Sequence, residues 1–271
     1  MHGRTPQHVA RTIDECKAAL YTNFGRLSGA ILYEAGDIRW FATGLPDPLF
    51  NGVIYAHFKS STLDKQIESA LHHFKQHSSP MLWHIGPTTQ PSDLGPALLA
   101  HGLTHVEDEP GMAVDLLAAH EPWSAPAELT FEPVTDIGLL QQWVGVWAFP
   151  LSAQDQASYV ETYGRLGLGT HKPLQHFLGR LDGVPVATVS LFYHGRVAAI
   201  EHVVTLPEAR RQGIGRTITS MAMTLARNNG CMLGVLSASP MGINIYRRLG
   251  FQPYCMLGTY AWSPSPASSS T

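Results

Sequence analysis

Residues 198–217, AAIEHVVTLPEARRQGIGRT, constrain this chain more than any other stretch. It opens on Ile200, Val203, Val204 and Thr205, β-branched residues suited to a pleated, buried strand. Pro207 has no N–H to give and ends the ladder. Arg210-Arg211-Gln212-Gly213-Ile214-Gly215 follows, and 216–227 reads as a helix. A strand, a short glycine-containing loop and a helix N-terminus together make an anion site. The first N–H groups of a helix have no intrahelical partner and point outward with the positive end of the dipole, so a phosphate satisfies them. Gly213 and Gly215 lack a Cβ and let the backbone approach a ligand, while Arg210, Arg211 and Arg216 add positive charge.

A Walker loop would end in Gly-Lys-Ser/Thr, which is absent, and a dinucleotide fingerprint would need a third glycine where Ile218 stands. Arg-x-x-Gly-x-Gly after a buried strand resembles the pyrophosphate loop of the GNAT acetyltransferases. Downstream, 231–237 reads as a second apolar strand and 240–249 as a short helix. Tyr246-Arg247-Arg248-Leu249-Gly250-Phe251 is similar to the family's Tyr-x-x-x-Gly-Phe ending. The resemblance covers roughly residues 129–262. It implies an α/β chain of two GNAT-like domains, each a mixed central β-sheet flanked by helices.

The chain has 271 residues, enough for two domains, and 44% hydrophobic against 14% charged residues describes a core-forming protein. A net charge of −3 gives no reason to expect nucleic acid as a partner. No apolar run approaches a membrane span, and the polar residues 1–7 contain no signal core, so a cytoplasmic location is expected. Cys16, Cys231 and Cys255 are far apart and odd in number, so buried free thiols are expected in place of a disulfide or zinc framework. His73 and His77, one helical turn apart, lack an obvious third metal ligand, and no metal is assigned.

Periodicity predicts helices over 9–20, 64–76, 91–101 (capped by Ser92 or Asp93 and closed by Gly102), 137–147 and 154–166. Strands are predicted over 37–43, 52–58, 81–85, 129–134, 175–181 and 185–193, and a strand or hairpin within 104–116, with hairpin turns at Asp182-Gly183 and His194-Gly195. The element order from residue 52 repeats from residue 198. The helix endings also match: Leu99-Ala-His-Gly-Leu103 beside Arg247-Arg-Leu-Gly-Phe251. The first half has Lys-Ser-Ser-Thr-Leu where the phosphate loop would be. It reads as a degenerate copy over 1–120, or alternatively as an unrelated α/β domain with the same order. A Pro/Ala-rich linker over 121–128, an acetyltransferase domain over 129–262 and a disordered tail over 263–271 complete the division.

What the resemblance implies for chemistry is acetyl transfer from acetyl-CoA, a co-substrate, to a primary amine of a small molecule or peptide. Residues 210–216, Arg210, Arg211, Gln212, Gly213, Ile214, Gly215 and Arg216, hold the pyrophosphate. A bulged strand carrying Val203, Val204 and Thr205 binds the pantetheine and thioester carbonyl through N–H groups. Tyr246 stands at the general-acid position, which favours the acid role over the alternative of a buried Tyr with a satisfied hydroxyl. Glu201, expected by alternation on the face of Val203 and Thr205, is either a base acting through water or a structural carboxylate paired with an arginine. His202, expected on the opposite face, is second choice. Ser239 replaces the Asn that many members use for the pantetheine arm, and Asn244 lies at another helical phase. Trp143, Trp147, Phe149 and Tyr159 are candidates for acceptor contact or for core. A non-catalytic acyl-CoA-binding sensor is the alternative function. A homodimer is compatible with either reading, and neither calls for nucleic acid or membrane.

Overall fold

The computed structural model describes residues 5–118 and 128–264. The expected linker, apart from Glu128, and the expected tail beyond residue 264 lie outside the described residues. In chain order the elements are helix α1 (Pro6–Gly25), strands β1 (Ile31–Ala35), β2 (Ile38–Ala42) and β3 (Asn51–Ala56), helix α2 (Leu63–Gln76), strand β4 (Met81–Ile85), helix α3 (Leu94–Ala100), and strands β5 (Thr104–Asp115) and β6 (Leu129–Pro133). Helices α4 (Ile137–Trp147) and α5 (Ala153–Leu166) follow, then strands β7 (Leu174–Leu181), β8 (Val184–His194) and β9 (Val197–Thr205). Helix α6 (Ile214–Asn228), strand β10 (Leu233–Ser237), helix α7 (Ile243–Arg248) and strand β11 (Gln252–Trp262) complete the fold.

Local chemistry sets most of these boundaries. Asp136 caps α4 by accepting from the Leu139 N–H at 2.9 Å, and Ser152 caps α5 by accepting from the Asp155 N–H at 3.2 Å. Asp182 and Gly183 turn the β7–β8 hairpin with φ of 51° and 79°, the left-handed pair that such a turn needs. Helix α3 starts after Asp93, but that side chain makes no capping bond. The matching helix endings share one geometry. Gly102 and Gly250 are left-handed, and the next N–H reaches back five residues: Leu103 to the Leu98 carbonyl at 3.1 Å and Phe251 to the Tyr246 carbonyl at 3.0 Å.

The chain divides into two compact units that are interleaved in sequence. One holds Ala10–Pro110 and the chain from Cys255 onward; the other holds Gly111–Tyr254 and the chain up to Val9. Residues 258–262 pair antiparallel with β4, and residues 111–115 pair antiparallel with β10. Each half thus contributes its last strand to the other unit's sheet.

In the first unit β1, β2 and β3 run antiparallel, β3 pairs parallel with β4, and β4 with the end of β11. Ile67, Leu71 and Phe74 of α2 are fully buried in one core cluster with Val53 and Trp83 of the sheet. In the second unit the order is β5-β10-β9-β8-β7-β6, with β10 and β9 parallel. Ile214, Ile218, Ala222 and Ala226 of α6, four residues apart, share a core cluster with Ala187, Val189, Leu191, Ala198 and Ile200. Ile218, at the position a dinucleotide loop would give to glycine, is 0% exposed.

The tight parallel contact between β3 and β4 makes a direct test. A β-carbon at Gly52 would overlap the Leu82 carbonyl oxygen, whereas one at Gly36 would meet nothing within 4 Å. Gly52→Ala is expected to cost roughly 1–3 kcal/mol in urea unfolding, and Gly36→Ala less than about 0.5 kcal/mol. Equal effects would show that β3 does not approach β4 this closely.

Candidate functional site

The parallel strands β9 and β10 pair only from Leu233 opposite Val197 to Val235 opposite Ala199. Beyond that they part, and a cleft of about 540 Å³ opens between the end of β9, the start of α6 and α7. Val203, Val204 and Thr205 line it from the strand. The chain then turns through a 3-10 segment, Pro207–Ala209, into the loop that precedes α6. Arg210 Nε donates to the Thr205 carbonyl at 3.0 Å and ties the loop to the strand. Arg211 and Gly213 are left-handed, with φ of 64° and 80°, and Gly213 is the N-cap residue of the 15-residue helix α6. The N–H groups of the first turn have no carbonyl four residues earlier within the helix. Arg210, Arg211, Gly213, Ile214, Gly215 and Arg216 all line the cleft, and Gln212 does not.

Tyr246 and Ser239 line the opposite wall. Tyr246 is 8% exposed, with its ring edge-on to Phe251 at 5.9 Å and so close to Gly242 that a β-carbon there would lie 2.7 Å from its Cε2. The Ser239 hydroxyl accepts from the Gly242 N–H at 3.3 Å, which leaves its own proton to donate elsewhere. Asn244 is exposed and is not part of the wall. The sequence reading missed Met241, Ile245 and Arg248, which also face the cleft. Their spacing around Tyr246 on one short helix was the available signal.

Strand alternation misplaces Glu201 and His202. Ser190 pairs with Glu201 and Thr188 with Val204, so His202 and Val203 together face Val189 alone. This is a β-bulge, and its extra residue reverses the parity of everything after it. Cross-strand partners share a face, so Glu201 lies on the side of Ser190, whose hydroxyl is 2.7 Å from His176 Nδ1. Val203 packs instead against the cluster that contains α6. Glu201 is half-buried and does not line the cleft. His202, with φ of 53°, turns its ring among Trp143, Trp147 and Tyr163, at centroid distances of 5.3, 5.0 and 5.6 Å.

That ring cluster settles the aromatic candidates. Trp143 and Tyr159 are core at 0% and 6% exposed, Trp147 is partly buried, and Phe149 is 54% exposed. His176 and His202 sit inside the cluster, 6.2 Å apart. Burial drives the His176 imidazole well below its ordinary value, with the nearby His202 adding to the effect. Burial pushes His202 down to about 3. Both rings are neutral at physiological pH. Cys16 and Cys231 are buried, and Cys255 is partly buried. No group of three or more His, Cys, Asp or Glu side chains among the described residues is arranged to hold a metal ion.

The corresponding place in the first unit is closed. Strands β3 and β4 pair at Gly52 opposite Leu82 and Val53 opposite Trp83. The chain after β4 then returns to the end of β3. Gln90 N–H donates to the Ala56 carbonyl at 3.0 Å, and Phe58 N–H donates to the Gln90 carbonyl at 2.8 Å. Asp14 holds this return from α1, accepting from the Thr88 N–H at 2.8 Å and its hydroxyl at 2.5 Å. A cavity of about 10 Å³ beside Asp14 and His84 has room for at most one water.

Residues 141–251 match the acetyltransferase (GNAT) family. In solved structures, the fold is similar to a GCN5-related N-acetyltransferase from Kribbella flavida, with a TM-score of 0.73 and 21% identity over 95% of this chain and 97% of that one. It is also similar to a GCN5-related N-acetyltransferase from Sphaerobacter thermophilus, with a TM-score of 0.61 and 16% identity over 99% and 97%. A tandem GNAT protein from the clavulanic acid biosynthesis pathway gives a TM-score of 0.56 and 16% identity over 96% of each chain. No curated protein sequence matches the chain significantly. These likenesses establish the fold as two GNAT-like domains, each a mixed sheet flanked by helices.

The buried imidazoles predict a pH dependence. Between about 6.5 and the lowered folded values, the unfolded chain binds protons that the folded chain refuses, so stability falls as pH falls. His176, His202 and His84 of the first unit, also pushed down to about 3, act together. Asp14 and Glu107, both raised by burial, work the other way, while His73, lowered by partial burial, adds to the effect. Urea unfolding at about pH 5.5 is expected to show roughly 1 kcal/mol less stability per histidine than at neutrality. An unchanged or higher midpoint at pH 5.5 would show that these rings are not buried neutral.

Proposed function

We propose that this chain, whose residues 141–251 form a domain of the acetyltransferase (GNAT) family, moves an acetyl group directly from acetyl-CoA to a primary amine of a small molecule or peptide. One observation carries the reading: the cleft where β9 and β10 part brings the phosphate-type loop and Tyr246 to a single wall-to-wall site. The left-handed turns at Arg211 and Gly213 and the start of α6 suit a pyrophosphate, with Arg210, Arg211, Arg216 and Arg248 supplying charge. Val203, Val204 and Thr205 face the stretch where the pantetheine arm and thioester would lie, and Ser239 offers a hydroxyl to the same arm.

In this reading the amine nitrogen forms a bond to the thioester carbon as the carbon–sulfur bond breaks. Backbone N–H groups of the bulged strand stabilise charge on the carbonyl oxygen. Tyr246 gives its phenolic proton to the leaving sulfur. Glu201, half-buried on the other face, takes the amine proton through water. The first unit is a degenerate copy that binds no acetyl-CoA, which the return of Gln90 onto β3 supports.

A second reading, a non-catalytic acyl-CoA-binding sensor, is favoured by one fact: among the described residues no Asp or Glu lines the cleft. Two measurements decide between them. Calorimetric titration with acetyl-CoA is expected to give one site per chain; no binding would refute both readings. Tyr246→Phe is expected to lower kcat by roughly ten- to a thousandfold in a thiol-release screen over amines, with acetyl-CoA affinity little changed. Tight binding without turnover of any amine would select the sensor.

A further inference from the structure

His202 occupies a backbone state that few non-glycine residues adopt. Its φ of 53° lies in the left-handed region, where His, Asn and Asp are tolerated among non-glycine residues and β-branched residues are not. Two hydroxyl groups hold it there. The fully buried Thr188 donates its hydroxyl proton to the His202 carbonyl at 2.8 Å, across the bulge from the partner strand. On the α5 side, Tyr163 places its hydroxyl 3.1 Å from His202 Nε2. Edge-on contacts from Trp143 and Trp147 fix the plane of the imidazole. Nδ1 is buried without a hydrogen-bond partner among the described residues. An apolar ring would fill the same space without that cost, so packing alone does not account for an imidazole here. The next two residues, Val203 and Val204, line the cleft.

We propose that His202 is a positioning residue. Pinned by Thr188 at its carbonyl and by Tyr163 at its ring, it fixes the bulge of β9 and so aims the backbone at Val203 and Val204 toward the thioester end of the bound co-substrate. This rests on the acetyl-transfer reading above. Asn and Asp also tolerate the left-handed state, but they are too short to reach Tyr163 from the strand. Glycine would adopt it and keep the bond from Thr188, but would lose the tie to Tyr163. The enclosed ring acts by shape and hydrogen bonding and does not store the amine proton.

The test uses the full-length chain with Tyr163→Phe, Thr188→Val and His202→Asn. The first two each remove one hydroxyl and keep nearly the same volume; the third keeps a residue that tolerates φ above zero. Amide hydrogen exchange at Val203 and Val204 and the affinities for acetyl-CoA and for CoA are measured, which needs no acceptor. Exchange at the two amides is expected to rise by about tenfold or more in each variant. The preference for acetyl-CoA over CoA should fall severalfold, while CoA affinity, set by the phosphate loop, stays within about twofold. With an amine that turns over, kcat should drop roughly ten- to a hundredfold, and the pH profile between about 6 and 8 should keep its shape. Wild-type exchange and acetyl-CoA preference in all three variants would overturn the proposal. So would a limb of the pH profile present in wild type and lost in His202→Asn, because that would make the imidazole a proton acceptor. Failure of the wild type to bind either CoA or acetyl-CoA would instead sink the acetyl-transfer reading, and this proposal with it.

Discussion

Strands β9 and β10 stay hydrogen-bonded from Val197 to Ala199 and then separate, and the rest of the site depends on that parting. A parallel pair that stops early leaves backbone donors and acceptors on its inner edges, and such groups need partners. In the second unit they line an open cleft of about 540 Å³ with a helix N-terminus at one end and Tyr246 on the far wall. The helix is held at that place by its own core face: Ile214, Ile218, Ala222 and Ala226 pack on the sheet. The geometry of the loop before it comes from backbone conformation at Arg211 and Gly213 and from the tie of Arg210 to Thr205.

The first unit shows what happens when the same parting is filled from within. It has the same strand, helix, strand, helix order and the same left-handed helix ending at Gly102. There, however, the chain after β4 bonds back to β3 through Gln90, and Asp14 secures the return at Thr88. The backbone groups that would meet a ligand are paired within the chain. Two sequences of one architecture thus resolve one backbone requirement in opposite ways, and only the open one keeps the arginines and glycines.

Much of this was legible in the sequence because the loop is written in residues with distinct backbone chemistry. Gly213, Pro207 and the arginines mark the turn and its charge, and the four-residue spacing from Ile214 to Ala226 marks the buried helix face. Tyr246 was legible from its place before Gly250-Phe251. Three features were not. The position of the bulge, at His202 and Val203, defeats alternation: the resemblance implies a bulged strand without locating the inserted residue, and a rule of period two assumes that none is inserted. Strand β1 is mostly exposed, so it carries little apolar pattern to read, and β11 was passed over despite its aromatic run up to Trp262. The exchange of last strands between units, with residues 258–262 on β4 and 111–115 on β10, is a tertiary choice that neither segment encodes alone.

In the proposed acetyl transfer, one opened strand pair, and not its closed counterpart, makes the acetyl-CoA site. The most direct test is calorimetric titration of Gly213→Val with acetyl-CoA. Valine cannot adopt the φ of 80° found at Gly213 without strain, so the loop cannot form its turn into α6. Binding is expected to weaken at least roughly a hundredfold relative to the wild type. Retained stoichiometric binding at near wild-type affinity would contradict it, because the co-substrate would then be held somewhere other than this loop.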